Sequence, residues 1–433
     1  MIRSVVFRRL YSNSLTALCV KVFGAVIGLA VSWFITNRFG AESAGLYFLA
    51  LSYMTFPVAL CSLGLNNAGL KLVSSAFTTK NWHRIDSIFY KTTFSVFFIS
   101  IITSTVIYFF SSEIAVKVFD KPEFALVLKM MSFSLIFTSI FSLHGHVIQG
   151  VRRVNLAMIL MGGAHNLILL TMLAVIKTDK IELASLFYTV SASITMVVGI
   201  ILWVYIRKGK ADCIKNKKKT SFVSSKDLFN LALPMLVIQL IAQVNEQTGS
   251  LFLGIWGQTS DVAFFSVSIK VAALISFILL AVNRVVSPDF SALYADKKMR
   301  ELKDLTRNST VIMLIFATPI FIFCLAFPEW ILSFFGGEFK EAKASLQILA
   351  CGQFLYVVSG NVNMLLLMTG NEKVLRNNLI ISSLFSVTIG IWLVSKFGLI
   401  GAALTTCLSL VLGNALSCYK VKKVLDINIL KII

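Results

Sequence analysis

The chain has 433 residues, 57% of them hydrophobic and only 14% charged, with a mean hydropathy of +0.84 and a formal net charge of +20. Soluble domains are roughly half apolar and a quarter charged. An apolar surplus of this size cannot be hidden in one water-soluble core, which excludes both a soluble enzyme and a disordered chain.

A bilayer core needs about 20 apolar residues per helix. Twelve runs meet that length in chain order. The first six are Leu15–Thr36, Gly45–Leu65, Thr92–Phe110, Ala125–Ile148, Asn155–Ile176 and Leu183–Ile206. After a polar stretch come Phe229–Trp256, Val262–Asn283, Ser309–Phe327, Ala344–Met368, Leu379–Val394 and Leu399–Cys418. The eleventh is short and is expected to begin near Val374. Helices are required because lipid cannot satisfy bare backbone groups, and the alternation of a barrel is absent. The expected fold is an all-α polytopic membrane protein of about twelve transmembrane helices in two six-helix bundles. The run after the N-terminus is too long for a signal-peptide core.

The domain limits expected are 1–206, a basic linker 207–227, and 228–433. The linker includes Lys215, Lys217, Lys218 and Lys219. The halves echo each other: Gly40-Ala-Glu-Ser43 leads to Tyr47-Phe48, and Gly257-Gln-Thr-Ser260 leads to Phe264-Phe265, at a constant offset of 217 residues. Both echoes sit between the first and second runs of their halves. Six is an even number of spans, so the repeat is parallel, with its pseudo-two-fold axis along the membrane normal.

With both termini on one side, 29 Lys and Arg fall on that side and 8 on the other. The positive-inside bias then places both termini in the cytoplasm and explains the net charge without nucleic acid. Trp33, Trp256, Trp330 and Trp392 fall at the opposite, outer ends of odd-numbered spans, where amphipathic rings prefer to sit. Two connections, Asn66–Lys91 and Val286–Arg307, carry apolar residues at helical spacing and are expected to lie along the inner surface.

Seven cysteines, an odd count with no C-x-x-C, read as small buried hydrophobes. His144 and His146 are two apart, the wrong spacing for one helical face, so a metal site is not expected. Walker A, G-x-S-x-G and H-E-x-x-H motifs are absent, and neither catalysis nor a cofactor is expected.

An ionised side chain near the bilayer centre costs at least ~2.5–3.5 kcal/mol, so polar residues within spans raise the question of function. Lys129 and Lys21 lie near span ends, within snorkelling reach. Glu246 lies roughly 15 Å below Trp256 and Lys270 roughly 12 Å below Val262 at the helical rise. The two are on consecutive antiparallel spans at similar depth, and an ion pair between them is one expectation; the other is that they line a polar cavity. The run Gln243-Val-Asn-Glu-Gln-Thr248 cannot face lipid all round. His144, His146, His165, Asn166, Asn283, Asn361 and Asn363 are further polar positions within spans. Pro57, Pro234 and Pro319 can kink theirs.

Several segments together carry a resemblance. Val20-Lys-Val-Phe-Gly24 and Phe39-Gly-Ala-Glu-Ser-Ala-Gly-Leu-Tyr47 resemble the start of bacterial polysaccharide flippases of the Wzx (O-antigen) type, in the multidrug/oligosaccharidyl-lipid/polysaccharide exporter superfamily. Asn245-Glu-Gln followed by Leu253-Gly resembles that family's N-x-D-x-x-x-x-G region, with Glu246 in place of the usual Asp. Val286-Ser-Pro-Asp-Phe-Ser291, Phe335-Gly-Gly-Glu-Phe339 and Phe397-Gly-Leu-Ile-Gly-Ala-Ala403 are similar to further signatures. The resemblance implies a flippase for an undecaprenyl-diphosphate-linked oligosaccharide in a bacterial inner membrane, moving it from the cytoplasmic to the periplasmic leaflet. It further implies work alongside a polysaccharide polymerase and a chain-length regulator. In that reading Lys21 and Lys270 meet the diphosphate, Asn245, Asn283 and Asn361 meet sugar hydroxyls, and Glu246 couples transport to a cation. The competing readings are a cation-coupled multidrug exporter of the same superfamily, a lipid II flippase and a non-transporting membrane scaffold. A drug exporter for organic cations needs an acidic cavity, whereas this chain has one deep acid and up to three lysines.

Overall fold

The computed structural model describes residues 2–208 and 225–427, with side chains described at 20, 22–208 and 228–427. Most of the basic linker, including Lys215 to Lys219, and the side chain of Lys21 lie outside the described residues. The described chain is helical. Its α-helices are α1 (Ile2–Ser62), α2 (Leu65–Thr78), α3 (Trp82–Glu113), α4 (Phe124–Ser132), α5 (Ser134–Gly150), α6 (Val154–Ile159), α7 (His165–Val175) and α8 (Ile181–Lys208). They continue with α9 (Ser225–Trp256), α10 (Thr259–Ala295), α11 (Met299–Ala326), α12 (Pro328–Ser333), α13 (Lys343–Val358), α14 (Val362–Met368) and α15 (Glu372–Leu425).

Eight helices are long and apolar enough to cross a bilayer, and two bent pairs raise the number to ten. The pairs are α4 with α5, bent by 45°, and the turn at Gly337 plus α13 with α14, bent by 41°. Two of the eight are themselves double. α1 is broken at Gly40 (φ 75°, ψ 174°) and α15 at Gly398 (φ 51°, ψ −124°). Both glycines adopt a backbone that a side chain would disfavour, which divides each run into two helices. Counted this way, the described residues hold twelve apolar helical segments, one for each apolar run. The eleventh begins at Glu372, two residues before the expected start.

The spans are apolar outside and hydroxylated inside. On α3 the exposed face carries Phe94, Phe98, Ile102, Phe109 and Phe110, while Thr92, Ser100, Ser104 and Ser111 are buried. Lipid gives helices no hydrophobic reason to associate, so small residues that allow close approach line the contacts. Ser100 Oγ donates within the helix to the Val96 carbonyl at 2.7 Å and Thr92 Oγ1 to Ile88 at 2.8 Å, whereas Ser104 Oγ donates across to the Ser132 carbonyl of α4 at 2.9 Å.

Contacts group the chain into two compact units. One comprises Met1–Leu18, Gly40–Leu49 and Val244–Ile433, the other Cys19–Phe39 and Ala50–Gln243. In the second unit, α5 packs on α2, α3 and α8, and a cluster including Leu65, Val73, Ile85, Phe89, Val147 and Trp203 fills one end. In the first, α10 packs on α11 and α13, and α13 on α15. Its terminal cluster joins Phe290, Leu302, Leu365, Leu366 and Val421.

These clusters decide the two connections. Residues 65–78 form the expected amphipathic helix, α2, but its apolar face packs on α3 and α5, burying Leu65, Ala68, Val73 and Ala76. Val286–Arg307 is not a separate surface helix. α10 runs on through Ala295, a turn follows, and α11 starts at Met299. Phe290 and Leu302 are both fully buried and anchor the connection to the protein, while Tyr294 to Lys298 between them are exposed. Tryptophan exposure sorts the same way: Trp33, Trp256, Trp330 and Trp392 are all about half exposed, whereas Trp82 and Trp203 are buried.

Candidate functional site

The polar run on α9 is divided by helical rotation. Asn245 turns into the unit. Its Nδ2 donates to Ser382 Oγ at 3.0 Å, and its Oδ1 accepts from Ser409 Oγ at 3.0 Å. Ser409 Oγ also reaches the Ser382 carbonyl at 3.1 Å. Ser382 and Ser409 belong to the two halves of α15 on either side of Gly398, so Asn245 ties three helices together. Gly249, one turn on, lies against Phe265 and Thr406, and Gly390 lies against Phe252. Glu246 is a hundred degrees or so further round, on an exposed stretch of the same helix.

Lys270 sits on α10 and is half-buried. Its ammonium lies 4.2 Å from the centroid of the Phe48 ring. Phe48 is buried between Tyr47 and Leu49, in the segment of α1 just after the Gly40 break. That segment approaches α10 closely, since a side chain carbon at Gly45 would collide with the Thr259 carbonyl. The ring face offsets part of the desolvation of the charge. The expected pair with Glu246 does not form: none of the ion pairs among the described residues joins the two. Lys270 faces the aromatic segment, whereas Glu246 is exposed.

The remaining candidates lie apart. Asn283 is on α10, thirteen residues beyond Lys270 or roughly 20 Å along the axis, and its Oδ1 is buried without a partner. Asn361 is 1% exposed at the bend between α13 and α14, where its Nδ2 donates to Ser309 Oγ at 2.9 Å. It acts there as a staple beside Gly360, whose left-handed backbone (φ 68°) fits against Thr310. Lys270, Asn245, Asn283 and Asn361 therefore do not converge on one point.

Sequence reasoning missed Phe48, whose only signal was its place in the repeated Tyr47-Phe48 echo. It also gave little weight to the histidines of the other unit. His165 follows a π-helical turn, Leu160–Ala164, and its Nδ1 is 3.2 Å from Ser191 Oγ. The turn leaves the Gly162 carbonyl against Gly24. His144 lies 4.9 Å from Phe89, which stacks on Trp203 at 4.4 Å. Among the described residues no group of His, Cys, Asp or Glu is arranged to hold a metal ion.

A family profile described as polysaccharide biosynthesis protein matches residues 10–294. The chain belongs to this family. A second profile, MatE, matches residues 234–392. The chain is 21% identical over 425 residues to the probable low-salt glycan biosynthesis flippase Agl15 of Haloferax volcanii, covering 96% of this chain and 84% of that one. It is 26% identical over 269 residues to the capsular polysaccharide biosynthesis protein CapF of Staphylococcus aureus, covering 60% and 66% respectively. Among solved structures, an inward-facing MATE-family multidrug transporter of the MOP superfamily superposes with a TM-score of 0.77 at 13% identity, covering 95% of this chain and 98% of the other. The lipid II flippase MurJ, in an inward closed conformation, gives 0.74 at 17% identity over 96% and 90%. The resemblance to the polysaccharide branch of this superfamily is thereby borne out, and the fold is the superfamily's.

Proposed function

We propose that this family member is a flippase for an undecaprenyl-diphosphate-linked oligosaccharide, moving it from the cytoplasmic to the periplasmic leaflet by alternating access. The reading rests on one observation above the rest: a lysine, Lys270, is held within a long apolar helix with its ammonium over an aromatic ring. An ammonium within a membrane-spanning helix is retained at a cost, and an anionic cargo is the chemistry that would use it. Lys21 is the second cation assigned to the diphosphate. Asn283 is an amide assigned to a sugar hydroxyl, and its carbonyl oxygen, like that of Asn361, has no protein hydrogen-bond partner. Asn245 and Asn361 already spend their amides on helix packing. Glu246, on an open face of α9, is the residue assigned to cation coupling. Both termini are assigned to the cytoplasm, in a bacterial inner membrane, with the polymerase and chain-length regulator as working partners. The flippase relatives support this reading over catalysis.

The MatE match over the second half and the likeness to a multidrug transporter favour one alternative, a cation-coupled drug exporter. The test is surface polysaccharide in a deletion strain complemented with Lys270→Ala or Lys270→Arg. Loss with Ala and retention with Arg are expected. Normal polymer in the deletion strain itself, with raised drug sensitivity, would favour the exporter instead.

A further inference from the structure

At the end of α11 away from its basic first turns, the chain makes a corner through α12 and the 3-10 turn Gly337–Ala342 before entering α13. Pro328 starts α12 and Gly336 (φ 132°) turns the chain out of it. The corner is anchored from beneath: Leu332 and Ala342 are fully buried, and the buried Phe339 ring meets Phe264 edge-on at 5.0 Å. It borders an open cavity of about 660 Å³. Phe327, Glu329, Trp330, Ser333, Lys340 and Lys343 line it.

The polar side of the cavity holds two ammonium groups and one carboxylate. Lys343 Nζ donates to Glu329 Oε1 at 2.9 Å. That hydrogen bond and charge, together with Lys340 nearby, hold the Glu329 carboxyl below its usual range. One lysine is thus engaged by the carboxylate, and Lys340 supplies a second positive charge to the same wall. The apolar side opens onto the exposed face of α11. Trp330 meets Phe323 edge-on at 5.6 Å and Phe334 at 4.6 Å. Below them Ile322, Phe316 and Ile315 continue the exposed apolar stripe down the span.

We propose that this cavity is a binding site for the phosphate-bearing headgroup of a membrane phospholipid, with its acyl chains along the α11 stripe. The chemistry needed is all present in one place. An aromatic collar sits where indole rings favour the membrane–water boundary. Two lysines face it at headgroup level, where a charge-assisted hydrogen bond to phosphate is strong. An apolar track leads directly away from them into the hydrocarbon. The site is independent of the cargo reading and of Lys270.

The full chain, purified in detergent, is tested by native mass spectrometry with added phosphatidylglycerol, with sn-glycerol 3-phosphate, and with undecaprenyl phosphate. Wild type, Lys340→Ala, the Lys340→Ala/Lys343→Ala double variant and Trp330→Ala are compared. All three positions are exposed or half-exposed, so the fold is retained. We expect one tightly held phosphatidylglycerol in wild type, with affinity about tenfold weaker in the double variant and reduced in Trp330→Ala. Unchanged occupancy in the double variant would overturn the proposal. Equal binding of glycerol phosphate would overturn the lipid assignment and leave a free-phosphate site. Exclusive retention of undecaprenyl phosphate would overturn the phospholipid assignment in favour of the cargo's own phosphate.

Discussion

The Lys270 ammonium and the Phe48 ring, 222 positions apart in the chain, meet at 4.2 Å in one compact unit. A desolvated cation–π contact is worth about 2 kcal/mol or more. Phe48→Leu keeps the apolar volume and removes the quadrupole, so a drop of about 1–2 kcal/mol in thermal stability is expected. Lys270→Met removes the charge together with its need for the ring. In that background Phe48→Leu should cost markedly less, and equal costs in both backgrounds would show that the contact contributes nothing.

Glu246 and Lys270 do not form an ion pair, so their effects on stability should be independent. Removing one member of a buried pair typically costs about 3–5 kcal/mol, with strong coupling between the partners. Here the melting shifts of Glu246→Gln and Lys270→Met should add to within about 0.5 kcal/mol in the double variant. A double variant much more stable than the sum would restore the pairing that similar depth suggested.

Asn245 holds both halves of α15 through Ser382 and Ser409. Replacing it with Ala removes both contacts, while Ser382 and Ser409 keep carbonyl acceptors at Leu379 and Ser382, and is expected to cost about 1 kcal/mol. Asn245→Ala and Ser409→Ala should overlap, so that the double variant melts near the worse single. If Asn245→Ala melts like wild type but blocks glycan export, the amide serves cargo and not packing.

Arg207 Nε donates to Asp86 Oδ2 at 3.1 Å, with side chains 41% and 11% exposed. The asymmetry sets the direction. Without Arg207 the nearly buried Asp86 keeps a charge with fewer partners, whereas without Asp86 the arginine still reaches water. Arg207→Ala should therefore cost more than Asp86→Ala, by about 1 kcal/mol after allowing for screening of the exposed arginine. Chemical denaturation in detergent reads the order, and equal or reversed costs would show the pair to be a surface contact.

Sidedness follows from the charge split alone. Reporter fusions at Lys215 and at Gln258 should read opposite faces, with Lys215 on the cytoplasmic side. Two periplasmic readings would show the topology to be wrong.

The sequence by itself determined the spans, because helix formation in lipid is forced by the lack of water for backbone groups, and a run of apolar residues is a local property. All twelve runs recur as apolar helical segments, including those divided at Gly40 and Gly398, and Trp33, Trp256, Trp330 and Trp392 are about half exposed. The family motifs were legible for the same reason: they are contiguous. What the sequence could not fix was the rotation of each helix about its axis. Depth follows from counting residues, but one position along a helix turns a side chain by about 100°. That rotation sends Asn245 to Ser382 and Ser409 while Glu246, its neighbour, stays exposed. It also turns Lys270 onto Phe48, a partner from the far end of the chain that no local spacing could name. Only the tertiary packing decided that Val286–Arg307 would be anchored in the core at Phe290 and Leu302. An amphipathic pattern says that a face must be covered and does not say by what.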